Sequence, residues 1–125
     1  MERRKRILLV DDEASFTRLM KLNLETNGNC EVRVENNPQQ ALAAARSFKP
    51  DLIFLDIIMP DTDGGEIAAA LRAEKTLKDT PIVFLTAVVS KNEVIQRGDV
   101  IGGQTFLAKP VSVADMLKTI EKLAA

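Results

Sequence analysis

The chain of 125 residues has no histidine, no tryptophan and no tyrosine, and Cys30 is its only cysteine. Without imidazole, the commonest metal ligand and neutral-pH acid/base group is missing, so histidine-based catalysis and His/Cys metal sites are excluded. One cysteine cannot form an internal disulfide, and Cys30 reads as a small, semi-buried residue without redox duty. Long apolar runs are also missing: no stretch approaches the ~20 residues that cross a bilayer. The start, Met1-Glu2-Arg3-Arg4-Lys5-Arg6, leads into four apolar residues and then two aspartates, too short for a secretory signal. Nor is there an excess of one charge. Lys plus Arg number 17 against 18 for Asp plus Glu, a net charge of -1 that sets up no field for nucleic acid or membrane. The expectation is a cytoplasmic protein that binds neither. Oxygen ligands and a hard cation are the metal chemistry that remains.

What is present is the composition of a globular domain, 46% apolar and 28% charged, which is enough for one enclosed core. Strand-like and helix-like patterns alternate along it. Ile7 to Val10 is an apolar run, followed by Phe16, Leu19, Met20 and Leu24 at helical spacing up to Asn27-Gly28. Glu31 to Glu35 alternates polar and apolar as an edge strand would. Asn37-Pro38 with Gln40 reads as an N-cap, a first-turn proline and a capping-box partner for an alanine-rich helix to about Lys49. Leu52 to Leu55, apolar throughout, predicts a central strand covered on both faces. Gly64-Gly65 opens a third helix, Ile82 to Leu85 forms a fourth run, and a weaker helix falls near Asn92 to Arg97. Ser112 caps the last helix, with Val113, Met116, Leu117, Ile120 and Ala124 on one stripe. Five βα units result, predicting a parallel sheet with helices on both faces.

Polar residues stand at the carboxyl ends of these runs: Asp11 and Asp12, Asp56, Thr86, and Lys109-Pro110. In an open α/β sheet the ligand crevice lies there, so three carboxylates, a hydroxyl and an ammonium share one pocket. Asp56, at the end of the most buried run, is the candidate nucleophile, and its attack on a phosphoryl donor would give an acyl phosphate. Asp11, Asp12 and Asp56 repel one another in a low-dielectric crevice unless a cation intervenes, which points to Mg²⁺ or Mn²⁺. Lys109 supplies a second positive partner for the phosphoryl group. Thr86 supplies a hydroxyl hydrogen bond, and the Ala87 amide adds another. Each residue also has a plain structural use: Asp11-Asp12-Glu13 as a helix cap, Asp56 as a loop cap, Thr86 at a strand end, Lys109 as a solvated charge, Pro110 as a turn. Their coincidence at strand ends favours the site.

Leu9-Val10-Asp11-Asp12-Glu13, Asp56 with Met59-Pro60 and Gly64, Thr86-Ala87, and Phe106-Leu107-Ala108-Lys109-Pro110 follow in order. On these motifs the chain resembles a response-regulator receiver domain, the phospho-acceptor of two-component signalling, from end to end. The resemblance implies a flavodoxin-like, doubly wound, five-stranded parallel sheet of order 2-1-3-4-5 with five helices. It implies that Asp12, Asp56 and the Ile58 carbonyl ligate the metal directly, that Asp11 acts mainly through water, that the Ile58 and Ala87 backbone lies at the phosphoryl group, and that Lys109-Pro110 is cis. Thr86 and Phe106 would be the switch residues, altering the face made by helix four, strand five and helix five. The implied partners are a sensor histidine kinase or histidine phosphotransfer domain upstream, and a protein target or homodimer downstream. As one domain over 1–125, with a basic extension over 1–5 and no effector module, the chain would be no enzyme beyond its own phosphorylation and slow autodephosphorylation.

The chain departs from common receiver patterns at Ile58, two after Asp56, and Val88, two after Thr86, both apolar where many relatives are polar; slow phosphoryl loss is expected. Gly98, Gly102 and Gly103 precede strand five and put the shape of helix four in question. Two other classes stay open. An aspartate-nucleophile phosphohydrolase would want a second aspartate where Ile58 stands, and a pseudo-receiver adaptor would not need Asp56, Thr86 and Lys109 intact.

Overall fold

The computed structural model describes residues 4–59, 62–86, 99–101 and 104–124. Ala87, Val88, the expected helix near Asn92 to Arg97, and the glycines Gly98, Gly102 and Gly103 lie outside them.

The elements follow in the order β1 (Lys5–Val10), α1 (Ala14–Asn27), β2 (Cys30–Glu35), a 3₁₀ turn (Pro38–Gln40), α2 (Ala41–Phe48) and β3 (Leu52–Asp56). Then come β4 (Ile58–Met59), β5 (Thr62–Asp63), α3 (Gly64–Ala73), β6 (Ile82–Thr86), β7 (Asp99–Ile101), β8 (Gln104–Ala108) and α4 (Val113–Leu123). The main sheet has the order β2-β1-β3-β6-β8-β7. Its first five strands are parallel, which in chain order is 2-1-3-4-5, as expected. β7 was not anticipated: it pairs antiparallel with β8 and covers the sheet edge where the glycine-rich approach to strand five had been read.

Residues of one strand alternate between two cores. Ile7, Leu9, Leu52, Phe54, Val83, Leu85 and Leu107 face α1 and α4 through Met20, Leu24, Met116 and Ile120. Leu8, Val10, Ile53, Leu55, Ile82 and Phe84 face α2 and α3 through Ala41, Ala44, Ala45, Ala68 and Leu71. This two-sided burial is why β1, β3 and β6 read as continuous apolar runs, and β3 lies mid-sheet between β1 and β6.

The edge strand β2 is closed by side chains. Val32 turns its N–H and C=O away from β1, and Glu25 accepts the former at 2.9 Å while Lys21 Nζ donates to the latter at 2.6 Å. Glu25 and Lys21 are themselves paired at 3.0 Å, so the outward N–H and C=O of Val32 are satisfied from α1.

Several local readings shift. Asn37 does cap, accepting from the Gln39 N–H, but it opens a 3₁₀ turn that runs into α2 at Ala41. Lys5, assigned by sequence to the basic extension, begins β1; the Arg4 guanidinium donates to the Cys30 carbonyl and Arg6 Nη1 to the Phe48 carbonyl, so both guanidinium groups serve the fold. Cys30 is fully rather than partly buried, and burial pushes its thiol pKa up. Among the described residues no helix is long and apolar enough to cross a membrane.

Candidate functional site

Because β2 pairs with one side of β1 and β3 with the other, the connections after β1 and β3 diverge and leave a crevice at their carboxyl ends. Asp11 follows β1, Asp56 ends β3, Thr86 ends β6 and Lys109 follows β8. The register pairs Val10 with Leu55, Asp56 with Leu85, and Thr86 with Ala108, so these ends are level.

Asp11 is fixed from several sides. Its N–H donates to the Glu35 carbonyl, its Oδ1 accepts the Glu13 N–H at 3.0 Å, and its own carbonyl accepts from Asn36 Nδ2 at 2.7 Å. Asn36 also donates to Thr17 Oγ1, tying α1 to the end of β1. Glu13, at the N-cap position of α1, makes no side-chain cap bond. Asp11 Oδ1 thus accepts the N–H of the N-cap residue itself and not a first-turn N–H of α1, so the capping reading holds for neither Asp11 nor Glu13, while Asp11 Oδ2 serves the pocket.

Asp11 is fully buried, Asp56 and Thr86 are nearly so, and Asp12 is exposed. One carboxylate oxygen from each of Asp11, Asp12 and Asp56 falls in a group within 4.8 Å of one another. The Lys109 ammonium donates to Asp11 Oδ2 at 2.6 Å and Glu13 Oε1 at 3.2 Å, and stands 3.5 Å from Asp56 Oδ2. Beneath it lies the Phe16 ring, with Nζ 4.7 Å from the centroid. The Lys109-Pro110 peptide is cis, and the Lys109 N–H donates to the Thr86 carbonyl at 2.7 Å.

Burial raises the Asp11 pKa above its ordinary 3.8 despite the opposing hydrogen bonds from Lys109 and the Glu13 amide. For Lys109, burial favours the neutral amine, yet the hydrogen bond and charge of Asp11, with Asp56 and Glu13, outweigh it and raise the pKa. In this arrangement the cation that relieves carboxylate repulsion is thus Lys109 itself.

The loop after β3 is shaped by Gly64. A Cβ there would come within 2.5 Å of Ile57 Cα and 2.9 Å of the Asp56 carbonyl oxygen, so the start of α3 lies directly on the backbone at the end of β3 only because the side chain is absent. Phe106, half-buried on β8, stacks with Phe84 at 5.4 Å between centroids, and the Arg72 guanidinium lies 5.8 Å from the Phe84 centroid. Ile58 lies in β4, which pairs antiparallel with β5 through Ile58 and Asp63.

The donor set fits a hard divalent ion. An octahedral site with oxygens at about 2.1 Å spans about 4 Å, so the grouped carboxylates reach one ion by side-chain rotation, with one of them acting through water. Exposed Asp12 leaves a path for its entry. Sequence reasoning did not single out Glu13 or Phe16 as neighbours of Lys109, nor Asn36 and Thr17 as supports of Asp11. Phe16 sits at helical spacing with core residues, which conceals its ring contact.

The family model for the response regulator receiver domain matches residues 7–121. The chain belongs to that family. Receiver domains of two-component response regulators are phosphoryl-accepting signalling domains that bind Mg²⁺ at an acidic pocket. This receiver domain is 37% identical to the phosphate regulon transcriptional regulatory protein PhoB of Pseudomonas aeruginosa, over 94% of the chain and 50% of that protein. It is 31% identical to the polar-differentiation response regulator DivK of Brucella anthropi, over 94% of both. Chemotaxis protein CheY4 of Vibrio cholerae shares the fold with a TM-score of 0.80 and 32% identity, covering 96% of this chain and 98% of that one. The chain spans about half the length of the first curated relatives it matches.

Proposed function

We propose that this receiver domain takes a phosphoryl group from a partner's phosphohistidine onto Asp56. The observation that carries the reading is a nearly buried Asp56 carboxylate grouped with Asp11 and Asp12 and 3.5 Å from the Lys109 ammonium. An Asp56 oxygen attacks phosphorus, the P–O bond forms as the P–N bond breaks, and the imidazole nitrogen of the donor keeps the electron pair. Lys109 turns from Asp11 toward the transferred group. Thr86 donates its hydroxyl to a phosphoryl oxygen, and the Ala87 and Ile58 backbone borders the group.

Asp12, Asp56 and the Ile58 carbonyl would hold Mg²⁺ directly, with Asp11 through water. The ion supplies charge neutralisation at the phosphoryl oxygens. Output follows when Thr86 is drawn toward Asp56 and Phe106 gains burial in the space released, altering the surface of β8, α4 and the segment before them. Phe106 has no hydroxyl, so burial alone drives it. That face receives a protein target or a second copy. The domain works in the cytoplasm, acts catalytically only on itself, binds no nucleic acid through this chain, and takes its phosphoryl group from a sensor kinase or phosphotransfer domain.

Incubation with acetyl phosphate and Mg²⁺, followed by intact-mass measurement, should add one phosphoryl group to the parent and none to Asp56→Asn. No adduct on the parent, or an adduct that persists in the variant, overturns the reading.

A further inference from the structure

We propose that Phe16 is a positioning residue for Lys109: its ring face holds the ammonium in the pocket, within reach of Asp11 and Asp56. The inference rests on the function proposed above, because it assigns Phe16 a part in the same transfer.

Lys109 has competing places to go. Asp11 and Asp56 are buried and lie inward, whereas the Glu13 side chain is 61% exposed and draws the ammonium toward solvent at 3.2 Å. A lysine side chain is long and flexible, so the balance between these positions decides what fraction of molecules has the ammonium ready for an incoming phosphoryl group. The Phe16 ring, 4.7 Å from Nζ to centroid, attracts the ammonium without carrying a negative charge. A carboxylate in its place would add to the repulsion among Asp11, Asp12 and Asp56 and compete with the phosphoryl group. The ring does neither. Phe16 is itself anchored, packing against the core that includes Met20 and Leu24, so the surface it offers is fixed before the donor arrives.

The test replaces Phe16 with mono-, di- and trifluorophenylalanine, a series that drains the ring face of negative potential with little change in volume. Initial rates of Asp56 phosphorylation by acetyl phosphate are measured in Mg²⁺, with unfolding midpoints alongside. The rate should fall stepwise, by about two- to tenfold across the series, a range corresponding to an ordinary cation–π contact, while the midpoints stay together. Phe16→Leu should behave like the trifluoro form, and Phe16→Tyr should restore the rate. In the parent, the Lys109 ε-methylene protons should show a ring-current upfield shift that Phe16→Leu abolishes. Rates independent of fluorination overturn the role of Phe16 while leaving Asp56 as acceptor. A parent chain that takes no phosphoryl group at all removes both readings.

Discussion

Asp11 joins two demands that pull stability in opposite directions. Its hydrogen bonds organise the start of α1, yet burial raises its pKa above 3.8, so its ionised form opposes folding at neutral pH. For a carboxyl with a raised folded-state pKa, that penalty is relieved as pH falls from the folded-state value toward 3.8. Asp11→Asn should therefore raise the urea midpoint of the metal-free protein at pH 7, with the advantage shrinking on acidification through that window. It should also reduce the gain in midpoint on adding Mg²⁺. A lower metal-free midpoint for the variant would refute this. Lys109 contributes in the complementary range: its raised pKa gives stability fully present below 10.5 and lost as pH rises through the folded-state value. The roles of Asp11 and Lys109 as pocket residues were legible from their strand-end positions. Phe16 was not, because a helical spacing that buries an aromatic does not reveal which cation lies on its face.

At the scale of elements, two contacts make separable predictions. Glu25 closes the β2 edge, and although burial would raise its pKa, the Val32 N–H and Lys21 lower it below the ordinary 4.5. Such a group stabilises above 4.5 and loses its effect as pH falls through its folded-state value. Glu25→Gln should cost up to about 1 kcal/mol at pH 7. In urea unfolding across pH 3 to 7, its curve should converge with the parent at the acid end; parallel curves would show that the charge is irrelevant. Gly64→Ala introduces a Cβ against backbone atoms of Asp56 and Ile57, which cannot rotate aside. A loss of at least about 1–3 kcal/mol is expected, because the clash is with backbone and not with a side chain that can repack, together with slower labelling by acetyl phosphate. Unchanged labelling at reduced stability would separate packing from the site. The parallel strands were readable because burial on both faces erases alternation in Leu52 to Leu55. β7 was not, since three residues carry too little pattern to register as a strand.

For the whole molecule, the sheet brings residues remote in sequence to one rim and closes one edge with β7 and the other with the Lys21 and Glu25 side chains. The parallel sheet with helices on both faces was legible from alternating βα patterns, and its strand order from the receiver resemblance; the edge coverings depend on tertiary contacts that no local period encodes. As a switch, the domain is characterised by how long it stays phosphorylated. With Ile58 and Val88 apolar, the sequence offers no polar group at those two positions to orient an attacking water. Ile58→Asn combined with Val88→Glu should speed phosphate release by about tenfold, or about 1.4 kcal/mol of barrier. An unchanged release rate would eliminate any part for these two positions in setting the phosphoryl lifetime.

The contact between Lys109 and Asp11 joins residues 98 positions apart, which makes charge a clock for chain assembly. During synthesis all three aspartates emerge well before β8 and its lysine. A partial chain that closed β1 on β3 early would hold the acidic crevice without this internal counter-charge. In the folded chain the last parallel strand therefore both completes the parallel part of the sheet and carries the lysine that offsets the charge of Asp11.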